Sequence, residues 1–308
     1  MLTDNSISCK FCGHSDLHTY PAEERMFGIG GNFTYGECQK CGSLQLITIP
    51  EDLSVYYPSD YYSFSTLKKS DFKNQLLKKV RLRVFLATGL KSIAPIYGSW
   101  LKKIKPSFNS KIADVGCGNG QLLYELFASG FRNLHGFDPF MEKSVEVEKG
   151  LSLWKKTIEE SDDRFDLIMM HHSFEHMENP ELVLKSCFDK LNPGGYLLIR
   201  CPVGDSEVWK EKHQYWVQLD APRHLIIPTV KGLTDLAEKV GLKKDEVVFD
   251  STDFQFWGTA IYEKGISLRK SKLGEHFSKD ELVALKQKAL QFNQEGKGDQ
   301  ACFYFKKA

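Results

Sequence analysis

The stretch Ile112-Ala-Asp-Val-Gly-Cys-Gly-Asn-Gly-Gln-Leu-Leu123 decides the fold. Its apolar run ends in three glycines at alternate positions, Gly116, Gly118 and Gly120, which predicts a strand that turns sharply into a helix. Glycine adopts positive φ without strain and lets a ligand approach the bare backbone. The helix that begins near Gln121 would direct its unpaired N–H groups and its positive dipole end at that ligand. The stretch therefore predicts a cradle for a nucleotide-like ligand.

An acidic residue further along the chain completes this pattern. Asn133-Leu-His-Gly-Phe-Asp-Pro139 has the features of a second short strand that ends in Asp138, whose carboxylate can accept both hydroxyls of a ribose. Two enzyme classes share such a plan: the NAD(P) dehydrogenases, with G-x-G-x-x-G, and the S-adenosylmethionine (SAM) methyltransferases, with an acid before G-x-G-x-G. Here Asp114 precedes Gly116, and Gln121 stands where a dinucleotide-binding turn has glycine. The pattern favours SAM.

Four of the eight cysteines form a second motif near the N-terminus. The pairs Cys9-Lys-Phe-Cys12-Gly and Cys38-Gln-Lys-Cys41-Gly are two C-x-x-C knuckles, each followed by glycine. Two such knuckles allow four thiolates to surround one tetrahedral Zn²⁺, and four cysteine ligands leave no open coordination site. A redox dithiol needs only one C-x-x-C, and disulfides are disfavoured in a reducing compartment. We therefore predict a structural zinc ion.

Composition gives little further guidance about partners. The 308 residues are 42% hydrophobic and carry a net charge of +1, which gives no overall argument for a nucleic-acid partner. Apolar runs long enough to span a bilayer are lacking, and the first residues do not have the features of a secretory leader. We expect a cytoplasmic enzyme.

The chain divides into three predicted regions. Residues 1–50 are a small zinc ribbon, which could not fold without its metal. Residues 51–107 begin with an aromatic segment, Val55-Tyr-Tyr-Pro-Ser-Asp-Tyr-Tyr-Ser-Phe64, which is either a packed linker or a lid over the active site. A basic helical stretch follows between Lys68 and Lys105; it is either the solvated face of a docked helix or a contact for anionic lipid or a phosphorylated substrate.

Residues 108–308 alternate between strand and helix signals, which predicts a doubly wound, mostly parallel seven-stranded sheet of the Rossmann-like α/β class. The strand signals lie at residues 111–115, 134–137, 151–154, 164–170, 196–200, 246–249 and 301–305. We place the last of these antiparallel at the edge of the sheet. Helices are predicted at residues 121–129, 181–191, 230–240 and 279–292.

The motifs taken together resemble those of class I SAM-dependent methyltransferases, over roughly residues 108–308. They are Asp114-Val-Gly-Cys-Gly-Asn-Gly, Gly136-Phe-Asp138, Phe165-Asp-Leu-Ile, Phe174-Glu-His-Met177 and Leu191-Asn-Pro-Gly-Gly195. With the cysteine knuckles and the Tyr-Pro-x-x-Tyr-Tyr segment, the chain is similar to a bacterial subgroup with an N-terminal zinc-binding region. Members of that subgroup are associated with sugars of surface polysaccharides or secondary metabolites. Some are C-methyltransferases of nucleotide-linked deoxysugars, whose extra C-terminal domain we do not expect in a chain of 308 residues.

The resemblance implies roles for the residues at the ends of the strands. Asp114 would hold the amino group of SAM, the glycines would admit its amino-acid part and ribose, and Asp138 would bind the ribose diol. The remaining contacts implied are Pro139 or Phe140 over the adenine, Thr157 and Ile158 at its edge, and His171 facing the methionine moiety.

Catalysis is expected from the segment after the fourth of these strands, where His172, Glu175 and His176 cluster. Methyl transfer from a sulfonium needs orientation and removal of a substrate proton. The Glu-His pair matches the pair that handles protons in the sugar-methylating relatives. We take His176 as the first candidate base and Glu175 as its orienting residue, the alternative being that the pair only caps a helix or knits a loop.

A second candidate region is the insertion His213-Gln-Tyr-Trp-Val-Gln-Leu-Asp-Ala-Pro-Arg-His224. Tyr215 and Trp216 could stack on a sugar, Arg223 could grip a phosphate or carboxylate, and His224 is a second candidate base. The alternative is a packed cover over the sheet.

The sequence thus favours SAM-dependent transfer to a small, sugar-containing acceptor, at oxygen rather than carbon or nitrogen. A second interpretation is an RNA or protein methyltransferase that recruits its substrate through the ribbon; the near-neutral charge weighs against it. The non-enzyme interpretation is a SAM-fold binding or scaffold module, and the intact glycine turn weighs against that.

Overall fold

The computed structural model describes residues 7–58 and 66–308. The strands within these residues, in chain order, are β1 (Leu17–Glu23), β2 (Asn32–Cys38), β3 (Leu44–Leu46), β4 (Ile112–Val115), β5 (Leu134–Phe137), β6 (Val145–Glu148), β7 (Leu151–Trp154), β8 (Phe165–His171), β9 (Leu191–Pro202), β10 (Ile226–Ile227), β11 (Leu242–Phe249) and β12 (Gln300–Lys307). The helices are α1 (Phe72–Thr88), α2 (Gly98–Ile104), α3 (Gln121–Ala128), α4 (Pro180–Lys190), α5 (Glu207–Lys212), α6 (Val230–Lys239), α7 (Phe254–Glu263), α8 (Leu273–His276) and α9 (Lys279–Gln294).

These elements form two compact units that alternate along the chain. The first unit takes its described residues from 7–58, 172–185 and 199–305, and the second from 66–171, 186–198 and 306–308. The boundaries after residues 50 and 107 that the sequence indicates stay a prediction.

The second unit is built on a mostly parallel sheet with the strand order β9-β8-β4-β5-β7-β6. Strand β4 pairs in parallel with β5 and β8, and β5 pairs in parallel with β7. In this register Val115 lies beside Phe137, and Phe137 lies beside Trp154. The carboxyl ends of β4, β5 and β7 therefore meet at one edge, where ligands bind in sheets of this kind. The predicted Rossmann-like α/β fold is confirmed.

The predicted strand count and the place of the last strand are both wrong. Strand β9 also stands at the end of the strand order β11-β12-β9, whose other members belong to the first unit. The described residues therefore give this sheet eight strands instead of the predicted seven. The unexpected strand is β6, a charged and largely exposed Val-Glu-Val-Glu segment that pairs antiparallel with β7. Strand β12 lies between β11 and β9 instead of at the edge, because its run of buried residues is almost continuous and suits an interior position.

The first unit contains a smaller sheet with the order β1-β2-β3-β10. Its strands pair antiparallel, and β10 joins through Ile226 opposite Gln45 and Ile227 opposite Leu44. Residues of this sheet share one apolar cluster with the segment that follows β9. The cluster includes Tyr35, Leu44, Leu46, Trp209, Trp216, Leu219, Leu225 and Ile227. The cysteine-bearing strands thus pack as part of this unit.

Helix α1 presents most of its apolar side chains to solvent. Only Leu82 and Phe85 of this helix are buried. Four other apolar residues in the interior of this helix are exposed: Leu76, Leu77, Val80 and Val84. The predicted contact of this basic segment with an anionic lipid surface or a phosphorylated substrate stays a prediction. Among the described residues, every helix is too short or too polar to cross a bilayer.

Candidate functional site

The glycine turn lies at the carboxyl end of β4. Gly116, Gly118 and Gly120 all adopt positive φ, at 75°, 51° and 77°. A Cβ atom at position 120 would stand 2.6 Å from the side chain of Leu153, so the turn requires glycine there for space as well as for backbone conformation. Helix α3 starts directly after Gly120. The strand, turn and helix expected from the sequence are therefore present.

Asp138 fixes this turn to the end of β5. Its Oδ2 accepts a hydrogen bond from the N–H of Gly118 at 3.0 Å, and its Oδ1 accepts one from the N–H of Phe140 at 2.9 Å. The N–H of Asp138 in turn donates to the carbonyl of Trp154 at 3.1 Å. The carboxylate is thereby held in one orientation at the edge of the sheet, with lone pairs left for further donors.

Asp114 is a buried carboxyl group two residues before Gly116. Burial, together with the nearby negative charge of Asp138, raises the pKa of Asp114 to about 8. At neutral pH the group therefore holds a proton in the ligand-free protein. A cation that reached this carboxyl group would favour its ionised form.

The remaining predicted cofactor residues lie in the same unit. Pro139 and Phe140 follow Asp138 and are exposed. Thr157 donates its N–H to Glu160 Oε2 at 2.7 Å, and Ile158 is buried. The ring of His171, the last residue of β8, stacks on that of Trp100 with 4.1 Å between centroids. Trp100, on helix α2, was not identified from the sequence.

Two histidines form the centre of a polar cluster in the first unit. His176 Nδ1 lies 2.8 Å from the carbonyl oxygen of Arg223, and His224 Nδ1 lies 2.7 Å from that of Gln218. A carbonyl oxygen can only accept, so each Nδ1 carries the proton and each Nε2 is left with a lone pair. The centroids of the two imidazole rings are 4.9 Å apart. Burial lowers the pKa of His224 to about 4, so this imidazole is neutral at physiological pH.

Glu175 is the carboxylate of this cluster and is fully buried. Its Oε1 lies 3.2 Å from His172 Nδ1 and 3.9 Å from His224 Nε2. Burial raises the pKa of Glu175, but the hydrogen bond from His172 and the electrostatic interactions with His172, His224 and His176 outweigh burial and lower it to about 2. The structure thus differs from the sequence-based expectation that Glu175 orients His176, because a backbone carbonyl does so and Glu175 contacts His172.

His172 is held at both ring nitrogens. Arg200 Nη1, which can only donate, lies 2.6 Å from Nε2, so the proton of the ring is on Nδ1 and points to Glu175. Arg200 also bonds Asp250 at 2.6 Å, and His172 has a positive φ of 51°. Such a conformation is uncommon for a residue other than glycine and is maintained by its surroundings. His172 therefore positions Glu175 and has no lone pair available as a base.

The insertion at residues 213–224 is mostly a packed cover, which corrects the predicted acceptor pocket. Trp216 is fully buried and donates its indole N–H to Asp299. Arg223 is also fully buried, and its guanidinium pairs with Asp220 and Glu24 at 2.6 and 2.8 Å. Neither side chain can contact an acceptor, because Trp216 is packed in the apolar cluster of this unit and Arg223 is buried in its ion pairs. Tyr215 is half-buried, with the guanidinium of Arg25 over its ring at 5.0 Å.

The predicted aromatic lid can be traced only in part. Residues 59–64 of that segment lie outside the described residues. Tyr57 Oη lies 3.3 Å from His176 Nδ1, and the carbonyl of Tyr56 accepts a hydrogen bond from Arg223. Arg200 is thus a partner of the cluster that sequence reasoning missed, whereas Tyr57 belongs to the aromatic segment that it singled out. The position of Arg200 at the end of the predicted fifth strand was the one available signal.

The four cysteines of the two knuckles come together. Cys9 Sγ is 3.6 Å from Cys41 Sγ, Cys12 Sγ is 3.5 Å from Cys38 Sγ, and all four sulfur atoms lie within 4.8 Å of one another. Donors at about 2.3 Å from a tetrahedral ion lie about 3.8 Å apart, so the set fits Zn²⁺. Gly13 and Gly42 follow the knuckles with positive φ, as the turns require. Zinc itself stays a prediction.

The parallel sheet, the glycine turn with its buried Asp114 and the carboxylate at the end of β5 define a SAM-dependent methyltransferase. The chain belongs to the methyltransferase domain family, whose family model matches residues 76–247, more than half of the protein. Membership of this family favours the enzyme interpretation over the scaffold interpretation.

Similar proteins carry methyltransferase names. The chain is 28% identical to the tRNA U34 carboxymethyltransferase of Aliarcobacter butzleri, over 47% of this chain and 52% of that protein. It is 30% identical to the ubiquinone biosynthesis O-methyltransferase of Pseudomonas putida, over 34% of this chain and 50% of that protein. A SAM-dependent methyltransferase of Mesorhizobium loti aligns in structure with a TM-score of 0.45 and 13% identity, covering 68% and 97% of the two chains. The chain spans about half the length of the curated relatives it matches.

Proposed function

We propose that the protein transfers the methyl group of SAM to a hydroxyl oxygen of a small, sugar-containing acceptor. The observation that carries this proposal is the pair His176 and His224, two imidazoles whose Nδ1 protons are fixed by carbonyl oxygens. A neutral imidazole with a fixed tautomer is suited to accept a proton from a hydroxyl group. Transfer to oxygen is also supported by the name of the Pseudomonas putida relative.

Binding of SAM is assigned to the turn of the second unit. In this proposal Asp138 accepts the ribose diol, and Asp114 pairs with the amino group of the methionine part. Gly116 and Gly118 admit the cofactor to the backbone, while Phe140 lies beside the adenine and His171 beside the methionine. The fixed orientation of Asp138 supports its role, because a preset acceptor loses little freedom on binding.

The proton handling is assigned to His176 as the first candidate base, with His224 as the second. His176 is half-buried, whereas His224 is almost completely buried. The difference in exposure favours His176 as the residue that meets an acceptor. Burial keeps His224 neutral, so His224 would not repel the positive charge that His176 gains when it accepts a proton.

A second candidate function is methyl transfer to RNA recruited by the basic helix or the cysteine ribbon. The observation that favours it is the similarity to a tRNA U34 carboxymethyltransferase. It requires exposed cationic residues that a chain of net charge +1 supplies only locally.

The test is a comparison of acceptors. Purified protein is incubated with SAM and either nucleoside-diphosphate-linked sugars, free sugars or bulk tRNA, and release of S-adenosylhomocysteine is quantified by chromatography. We expect turnover with a hydroxyl-bearing sugar and a product whose mass rises by one methylene group. Methylation of RNA alone would favour the second candidate, and product NMR with a new C–C bond would assign the activity to carbon.

We also propose that the four cysteines hold one structural Zn²⁺. Elemental analysis should find this zinc, and Cys41→Ser should lower its content and loosen the first unit, including the Trp209 and Trp216 region that shares its core. Limited proteolysis of that variant reports the loosening, and Cys187→Ser, which removes a buried cysteine elsewhere, is the control. Metal-free protein with an equally protease-resistant N-terminal region would contradict the proposal.

A further inference from the structure

We propose that Glu175, His176 and His224 form a second metal site, which binds a divalent first-row transition ion. One ligand atom from each residue lies within 4.8 Å of the others, and the three belong to the same unit. Two imidazoles and one carboxylate are a common donor set for ions of the Zn²⁺, Mn²⁺ and Fe²⁺ type. Donors at about 2.1 Å from one such ion lie about 3.0 Å apart in octahedral and about 3.4 Å apart in tetrahedral geometry, so small side-chain rotations close the set.

The hydrogen bonds around the two histidines are those that metal-binding histidines make. An imidazole ligand almost always donates its other ring N–H to a carbonyl or carboxylate, which fixes the ring and directs the second nitrogen to the ion. His176 and His224 do this with the carbonyls of Arg223 and Gln218. The chain at His224 is fixed as well, because its own carbonyl accepts from the hydroxyl of Tyr35 at 2.6 Å.

The carboxylate of Glu175 supports a cation at this position independently of the histidines. Its side chain is fully buried, and within residues 7–58 and 66–308 its Oε2 atom has no hydrogen-bond partner. A buried carboxylate oxygen without a donor is strongly unfavourable, and such groups are rare in native proteins. A cation on this oxygen would remove that deficit.

The surrounding charges also favour a cation. His224 Nε2 lies 3.9 Å from both Glu175 and Asp220. Among the described residues, the carboxylates of Glu175, Asp220 and Glu24 are buried, and the buried guanidinium of Arg223 pairs with the last two. The neighbouring Arg200 is paired with Asp250. The cluster thus holds more negative than positive charge, and a dication compensates the excess.

The role of the ion, unlike its binding, rests on the proposed function. With the acceptor oxygen as a further ligand, the ion would lower the pKa of the hydroxyl group, whose proton leaves to solvent water. Three protein ligands leave positions open for that oxygen, in contrast to the closed set of four cysteine thiolates. With the ion bound, His176 would be a ligand and not the base, and the ion would activate the hydroxyl group in its place.

The test is a titration with Mn²⁺ of protein that carries one zinc ion per chain, followed by the electron paramagnetic resonance signal of the free Mn²⁺ ion. Mn²⁺ prefers oxygen and nitrogen ligands, so the thiolate site does not compete for it. We expect one saturable Mn²⁺ site per chain in the wild type. Glu175→Gln and His224→Gln should weaken it at least tenfold, while His213→Gln, which removes a half-buried histidine outside the cluster, should not.

Thermal unfolding separates loss of a ligand from loss of the fold. Added Mn²⁺ should raise the melting temperature of the wild type and of His213→Gln but not that of Glu175→Gln. Without metal, Glu175→Gln keeps a side-chain oxygen that can accept from His172 Nδ1, so the variant should still unfold in one cooperative transition. Wild-type protein with no second saturable site for Mn²⁺, Co²⁺ or Zn²⁺, or equal binding by all variants, would overturn the proposal. Neither measurement uses SAM or an acceptor, so the result is independent of the proposed methyl transfer.

Discussion

Asp114 and Glu175 are both buried carboxyl groups, and their pKa values are shifted in opposite directions. Asp114 lies at the end of β4 near a second carboxylate, and its pKa is raised to about 8. Glu175 lies among His172, His176 and His224, and its pKa is lowered to about 2 despite burial. At pH 7 the first group holds a proton and the second does not.

The difference shows that burial raises the pKa of a carboxyl group unless hydrogen-bond donors and other electrostatic partners outweigh it, as they do at Glu175 and not at Asp114. A protonated Asp114 becomes a counter-ion only when a cation arrives, which suits reversible cofactor binding. Glu175 is charged beforehand, which suits a group that holds its neighbours in place throughout turnover. Mutations in each region should therefore affect different steps of the reaction.

The largest effect is expected in the histidine cluster. His176→Ala should lower turnover by about 10²–10⁴-fold, the usual contribution of a general base, while SAM affinity stays unchanged. Single-turnover assays and calorimetry with SAM measure the two quantities. His213→Gln serves as the matched histidine control and should retain turnover. Near-native turnover of His176→Ala on the true acceptor would remove the acid–base role, and positioning of an already acidic acceptor would then explain the reaction.

An effect of intermediate size is expected at the end of β5. Asp138→Ala should weaken SAM binding by about 1.5–3 kcal/mol, the scale for hydrogen bonds to a charged group. Part of this loss comes from the glycine turn, because Asp138 also anchors the N–H of Gly118. Asp138→Asn keeps one acceptor oxygen and should lose less. Calorimetry that finds the same SAM affinity in Asp138→Ala and the wild type would contradict the assignment of the cofactor site.

The third effect, at most as large as that of Asp138→Ala, sharpens the comparison through pH. Below about pH 8 Asp114 must release a proton before it can pair with the SAM ammonium group, so affinity should rise up to about tenfold per pH unit from pH 6 towards 8. Above pH 8 the amino group of SAM itself loses its proton, and affinity should fall again. Asp114→Asn should lose the rising limb. Calorimetry in buffers of different ionisation enthalpy should detect the released proton, and a flat wild-type profile would contradict the role of Asp114.

The sequence predicted the second unit well because its signals are local. The apolar run before Gly116, the helix after Gly120 and the strand before Asp138 each depend on neighbours in the chain, and all three are present. The cysteine knuckles are equally local, and their sulfur atoms converge as the spacing indicates.

The first unit could be predicted only in part because its contacts join distant segments. His224 lies 48 positions after His176, and nothing in the insertion indicates that their rings meet. Arg223 has the residue type of a phosphate clamp, yet Glu24 from the N-terminal region neutralises it in the core. Trp216 has the residue type of a sugar platform, yet Asp299 satisfies its indole. Residue type alone could not separate these structural roles from binding roles.

The two residues of β10 have a practical consequence for protein engineering. They pair with β3, which closely follows the second cysteine knuckle, and they come shortly after the chain turn at His224. A truncated enzyme that starts near residue 108, where the sequence suggests a separate domain, would lose β1, β2 and β3. Ile226 and Ile227 would then be a bare strand edge beside uncovered tryptophans, which is a template for aggregation. Expression of the N-terminal region together with the rest of the chain is therefore a condition for soluble, homogeneous protein.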